Sequence, residues 1–411
     1  MDKVFTGAFT QQEPIPDEAI EAAVAVMRSG RLHRYNLAAG EAGEAALLER
    51  EFAAMIGARY CLATTSGGTA MQIALHACGV DRGDKVLTNG FTLSPVPGAI
   101  HAVGGEPILV ESTENLTIDL DDLAAKARAS GAHTLLVSHM RGHLADMEAL
   151  ATICDNLGVS MIEDCAHTMG AAWKGRPSGS FGLAACFSTQ TYKHVNSGEG
   201  GFLTTDDDQV MARAVIRSGS YMLYERHLAA PGANTFADAR LDMPNCSSRI
   251  DNLRAAILRP QLKTLSEQVE RWNARYRVIE GVLAPVPGLA LRQIPNAETH
   301  VGSSIQFRAP TLGPDQLRAA IADCAARGVE LKWFGPDEPH GYTSRHVSWR
   351  YAPVQALPRT DRILATLLDM RIPLTFSPED CALIAEIIAD VFSNHLDNAR
   401  DVQAGPGDWP Q

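Results

Sequence analysis

No Cys-x-x-Cys pair occurs anywhere in the 411 residues, although eight cysteines are present. They stand scattered at Cys61, Cys78, Cys154, Cys165, Cys186, Cys246, Cys324 and Cys381. That scatter speaks against zinc and dithiol motifs and predicts free thiols in a reducing cytoplasm. Positive charge is also short: 36 basic residues face 48 acidic ones, a formal charge of −12. A general surface for nucleic acid or anionic membrane needs a basic field, so neither partner is expected. A local basic pocket for an anionic substrate stays compatible with that balance. No apolar run approaches the ~20 residues that span a bilayer. The start, "MDKVFTGAFTQQEPIPDEAI", lacks the basic-then-apolar order of a signal peptide. No strand-like run is followed by Gly-x-Gly-x-x-Gly and a later ribose acid, which excludes the nicotinamide fingerprint. The phosphate loop ending in Gly-Lys-Ser/Thr is missing as well. There is no internal repeat and no low-complexity segment.

What is present reads as a soluble globular protein, 45% hydrophobic and 20% charged. Domains of about 100–200 residues make one large and one smaller unit the natural division. From about residue 58 to 205, short apolar runs alternate with helical patterns. The runs are "YCLATT", "DKVLTN", "EPILVE", "HTLLVSH", "VSMIED", "AACFST" and "GFLTT". This rhythm predicts an α/β fold with a mostly parallel sheet and helices on both faces. Residues 250–285 read as a long helical stretch interrupted at Pro260. The expected boundaries are 1–265 for an N-terminal segment and large domain, 266–395 for a small α+β domain, and 396–411 for a flexible tail.

In such sheets, ligands sit beyond the carboxyl ends of the strands. Three loops leave those ends with chemistry. "TTSGGTAMQIALHACG" leads small residues and hydroxyls into a helix, whose N–H groups and dipole can seat a phosphate. "MIEDCAHTMGA" ends a strand in Glu163-Asp164, with His167 three residues on. A buried carboxylate there needs a cationic partner, and a pyridinium nitrogen would serve. "FSTQTYKHVNSGEGG" places Ser188 and Lys193 after a strand and before a glycine turn. An amine held in a pocket can form a Schiff base with an aldehyde.

Phosphate seat, acidic strand end and lysine, in that order, resemble the pyridoxal 5′-phosphate site of the DegT/StrS-type sugar aminotransferases. The likeness runs from about Met27 to Gln261 and includes "GVDRGDKVL", "HLADMEAL", "IEDCAHTMGA" and "CFSTQTYKHVNSGEGGFLTTDD". The resemblance implies an aspartate-aminotransferase-like fold (pyridoxal phosphate fold type I). It implies that Lys193 forms the Schiff base and moves the proton. Asp164 then pairs with the pyridine nitrogen, and His167 lies near the ring's phenolic oxygen. Ser188, Gly68 and Thr69 hold the phosphate. It further implies a homodimer with a shared active site, a glutamate or glutamine donor, and a keto-sugar-like acceptor.

Several positions depart from the family pattern. Ser66-Gly67-Gly68-Thr69-Ala70 stands where Ser-Gly-Thr-Ala is usual. Leu93 occupies the place of an aromatic residue that stacks on the cofactor, with Phe91 two residues earlier as the other choice. Ser247 stands where an asparagine would reach the neighbouring subunit's phosphate, and Asn245 is a displaced candidate. Arg141 replaces a common tyrosine. The segment 332–351, which contains Trp333, is rich in aromatic and basic groups and suits a substrate lid. Arg31, His33, Arg34 and Arg249 are candidate anion anchors, and His194 a further substrate contact. Two alternatives stay open: another pyridoxal phosphate reaction on this scaffold, such as dehydration or carbon–carbon bond formation, and a non-catalytic regulatory protein. Dehydrating relatives often carry histidine in place of the lysine.

Overall fold

The computed structural model describes residues 3–404, with side chains through residue 398. Seven strands build the central sheet: β1 (Tyr60–Thr64), β2 (Lys85–Asn89), β3 (Glu106–Val110), β4 (Thr134–Ser138), β5 (Ser160–Asp164), β6 (Ala184–Ser188) and β7 (Gly201–Thr205). Each of the seven apolar runs is one of these strands. Their order is β1-β7-β6-β5-β4-β2-β3, with β7 antiparallel to its neighbours and the rest parallel. Two-sided burial explains the continuous apolar runs: one core holds Phe52, Phe187 and Phe202, the other Leu62, Ile73 and Leu203.

The long helical stretch divides at Thr264 into Asn252–Lys263 and Leu265–Leu283. Pro260 therefore lies inside a helix and does not interrupt it; it is buried, four residues before the break. Beyond lies a small antiparallel sheet of β8 (Ala290–Leu291), β9 (Ser304–Arg308), β10 (Lys332–Trp333) and β11 (Leu367–Arg371), ordered β8-β9-β11-β10. Side chains alternate across a strand. Ile305, Phe307, Leu368 and Met370 enter the core with Tyr276 and Phe392. Ser304, Gln306, Asp369 and Arg371 take the other face, in register as Ser304↔Arg371 and Gln306↔Asp369, with Lys332 opposite Asp369. Phe5 and Phe9 also pack in this core, each 4.9 Å from Phe376. Phe5 and Phe9 thus join the C-terminal unit and not the large sheet. The last helix runs Pro378–Ala404, so the beginning of the expected tail is helical. No glycine or proline interrupts "DNARDVQA", and 405–411 lie outside the described residues. Among the described residues, no helix is long and apolar enough to cross a membrane.

Candidate active site

The helix Gly67–Ala77 starts directly after β1. Ser66, in extended backbone, caps it by accepting from the Thr69 N–H at 3.0 Å. The other N–H groups of the first turn have no partner within the helix, which makes an anion seat. Ser188, at the end of β6, lies against this turn: a Cβ added to Gly67 would come 2.9 Å from the Ser188 Cβ. Gly201 closes the cradle. A Cβ there would meet the Gly67 nitrogen at 2.5 Å and the Phe187 carbonyl oxygen at 2.6 Å. The glycine turn before β7 is therefore steric in origin. Gly198 adds φ +77° within it.

At the end of β5 the two carboxylates part. Glu163 is fully enclosed and taken up by His139 (3.0 Å) and the N–H groups of Gly179, Phe181 and Gly182. Asp164 accepts from the Ser138 hydroxyl at 2.8 Å and the Ala166 N–H at 3.1 Å. The Thr92 hydroxyl is 2.9 Å from that of Ser138 and steadies it. Asp164 is thus held by neutral donors and forms no ion pair among the described residues.

Lys193 Nζ lies 2.9 Å from His167 Nε2. Burial, then the charge of Arg141, push the lysine down to about 7, against the pull of Asp164. Burial and Lys193 itself push His167 well below the ordinary histidine range. A neutral imidazole can accept from the ammonium or donate to the free amine. The cavity around them is lined by Leu93, Arg141, Tyr192, Lys332 and Arg371. A cavity of about 620 Å³ adjoins it and shares Tyr192, Lys332, Tyr342 and Arg371. Phosphate cradle, acceptor carboxylate and depressed lysine are the donor set that pyridoxal phosphate requires, so these residues fit that group.

The remaining expectations divide. Leu93 lines the cavity, while Phe91 is buried beneath it in an apolar cluster, edge-on to Phe334 at 5.2 Å. Phe91 therefore has no face open to a ring, which favours Leu93 for that contact. Trp333 lines the larger cavity and donates to the Ala365 carbonyl at 2.9 Å. His194 is buried, 3.1 Å from the Ser303 hydroxyl and packed on Trp272. Asn245 and Ser247 are exposed and bonded to each other, with Ser247 at φ +52°. Arg249 bridges to Thr64 at the end of β1 and donates to the Gly219 carbonyl. His33 is exposed; what burial it has, then the charges of Arg249 and Arg34, lower it from the ordinary histidine value.

Arg31 pairs with Glu41 on the surface at 2.8 Å. Arg34 is not open to a substrate anion: it is buried against Glu49 at 2.8 Å, beside His227. Burial alone would raise the Glu49 carboxyl, but Arg34 and His227 outweigh it and hold it at about 2. An acid depressed on folding stabilises the protein above its unfolded value, and that contribution fades as pH falls toward about 2. Removing one partner of such a pair costs about 3–5 kcal/mol. Glu49→Ala is expected to show that loss at pH 7 in denaturant unfolding, and Arg31→Ala less than about 0.5 kcal/mol.

Sequence reasoning missed Tyr192, Ser304 and Arg371 as cavity residues. The signal was faint: polar Asp369 and Arg371 alternate with apolar residues in "LLDMRI", a period-2 pattern too short to stand out.

Residues 15–389 match the DegT/DnrJ/EryC1/StrS aminotransferase family. An L-glutamine:2-deoxy-scyllo-inosose aminotransferase from Streptoalloteichus tenebrarius is 32% identical over 259 residues, covering 62% of this chain and 61% of that protein. The match thus spans about three fifths of that relative's length. The 3-amino-5-hydroxybenzoate synthase of Amycolatopsis mediterranei is 32% identical over 290 residues, 68% of this chain and 71% of that protein. A crystal structure of 3-amino-5-hydroxybenzoic acid synthase superposes with a TM-score of 0.80 at 25% identity, over 94% of this chain and 99% of the other.

Proposed function

The chain belongs to the DegT/DnrJ/EryC1/StrS aminotransferase family, and from that premise we propose that it is a pyridoxal phosphate-dependent aminotransferase. Glutamate or glutamine gives the amino group, and a keto or aldehyde carbon of a sugar or sugar-like molecule receives it. The observation that carries this reading is Lys193, 2.9 Å from His167 and depressed to about 7, in one cavity with Arg141 and Leu93.

When bound, pyridoxal phosphate supplies the aldehyde carbon that accepts the amino group and an electron sink for the Cα carbanion. The protein's residues do the rest. The helix start at Gly68 and Thr69, with Ser188, would take the phosphate. Leu93 would pack on the ring. Asp164, aimed by Ser138, would keep the ring nitrogen protonated. His167 holds Lys193 Nζ, and Lys193 moves the proton from the donor's Cα. The exposed stretch with Asn245 and Ser247, next to the end of β1, is the part we assign to contact with a second copy in a homodimer. All eight cysteines are free, which suits the cytoplasm as its location.

A lysine must be neutral to attack the cofactor's aldehyde. Uptake of pyridoxal phosphate by the cofactor-free protein should therefore rise about tenfold per pH unit below 7 and level off above it. Arg141→Gln removes a like charge and should move that bend to higher pH. Stopped-flow absorbance across pH 5.5–9 measures both (an about-one-unit window on either side of 7 suffices). For the function itself, visible absorbance is followed as glutamate and then glutamine are added. A band that either donor discharges, and a keto-sugar restores, supports transamination. Absence of any band sinks the cofactor reading. A band that neither donor discharges moves the choice to another pyridoxal phosphate reaction.

A further inference from the structure

We propose that Arg141, Lys332 and Arg371 form an anion subsite that selects an amino acceptor bearing a carboxylate or a phosphate. The inference rests on the aminotransferase reading and narrows its substrate. Three cations face the cavity beside Lys193, and one carboxylate, Asp369, pairs with two of them, while Glu330 acts on Lys332 from the larger cavity. Asp369, fully buried, takes Arg141 Nη2 at 2.6 Å and lies 3.9 Å from Lys332 Nζ. Its other oxygen accepts from Gln306 at 2.7 Å. Arg371 has no ion pair among the described residues; its guanidinium lies 3.7 Å over the Tyr192 ring. Arg141 Nε is buried with no partner.

Burying like charges together is costly unless an opposite charge joins them. Burial first, against the pull of Asp369 and helped by the charges of Arg141 and Arg371, lowers Lys332 to about 8; burial and the charge of Arg141 lower Arg371 from its ordinary value. The cofactor's phosphate does not answer this charge. Its cradle lies at Gly67, Gly68 and Ser188, none of which lines the cavity. The cations come from the polar face of the small sheet and from the turn after β4. Lys332 and Arg371 line both the Lys193 cavity and the larger one, so an anionic group held there leaves the rest of its molecule room on either side.

The anion could come from the acceptor's carboxylate, the acceptor's phosphate or the donor's carboxylate. Isothermal titration of the holoenzyme at low salt with D-gluconate, D-glucitol 6-phosphate and D-glucitol separates the first two. The expected result is that one of the two anions binds at least about tenfold more tightly than D-glucitol, the scale of one or two charged hydrogen bonds. A Lys332→Gln/Arg371→Gln variant should lose that gap, with a smaller fall in the rate at which glutamate discharges the visible band. Arg141 is left in place so that Asp369 keeps a partner, and melting temperature checks the fold. Equal binding of the three ligands, or a gap that survives in the variant, overturns the proposal. So does a variant whose main loss is glutamate discharge, because the cluster then serves the donor. Tight anion binding by a holoenzyme that neither donor discharges supports the subsite and overturns transamination instead.

Discussion

Lys193→Ala should lose the visible band of the lysine-bound cofactor and all measurable turnover. Proton transfer by a placed side chain contributes about 10²–10⁴-fold by itself, and the covalent hold on the cofactor is lost as well. The fold should not suffer. Lys193 Nζ sits against His167, and its charge is opposed by Arg141, Arg371 and Lys332, so removal relieves repulsion. An unchanged or higher melting temperature is expected. Pyridoxal phosphate should still bind, because the helix start, Ser188 and Asp164 do not depend on the lysine. Two further arms separate chemistry from packing. Lys193→Arg keeps a cation yet cannot act as a nucleophile at neutral pH, so it should be as inactive as alanine. Methylamine added to the alanine variant should restore part of the proton transfer. Full turnover in Lys193→Ala would remove this residue from the mechanism.

The lysine was legible because its setting is local. A strand end, a hydroxyl and a glycine turn all lie between Phe187 and Gly201. The seven strands of the large sheet were legible for a similar reason, since burial on both faces leaves unbroken apolar runs bounded by turn residues. The cation wall was not. Arg141, Lys332 and Arg371 lie far apart in the chain and meet through the packing of the small sheet against the large one. Its strands have only two to five residues, too few for alternation to mark a polar face. Arg34 failed for another reason. Its charge suggests an anchor for a ligand anion, and nothing near it in sequence announces that Glu49 and His227 will enclose it. Phe91 and Leu93 could be told apart only when Phe334, from the C-terminal third, was seen to cover Phe91. Helix propensity likewise put the break at Pro260, whereas the proline is held inside the helix by its buried packing.

Asp164→Asn tests the carboxylate whose charge acts on Lys193 from behind the cavity lining. The exchange is close to isosteric, and the Ser138 hydroxyl can still donate to the amide oxygen, so the fold should hold. What goes is the negative charge that would keep a pyridine nitrogen protonated. A group placed to stabilise developing charge is worth about 10²–10³-fold in kcat, and a loss of that size is expected. KM for the acceptor should change much less, because the ion pairs of the cation wall are to Asp369 and not to this carboxylate. Neighbouring Glu163 cannot substitute, since His139 and three N–H groups already take its oxygens. A merely structural role for Asp164 would lower stability and leave every cofactor equally slow. An electrostatic role has a different signature: pyridoxal phosphate methylated at the ring nitrogen carries a fixed positive charge, and it should recover much of the lost rate in the asparagine variant alone. Wild-type rates in Asp164→Asn, or no recovery with the methylated cofactor, would leave the carboxylate as a packing residue and move the search for the ring's partner to another group.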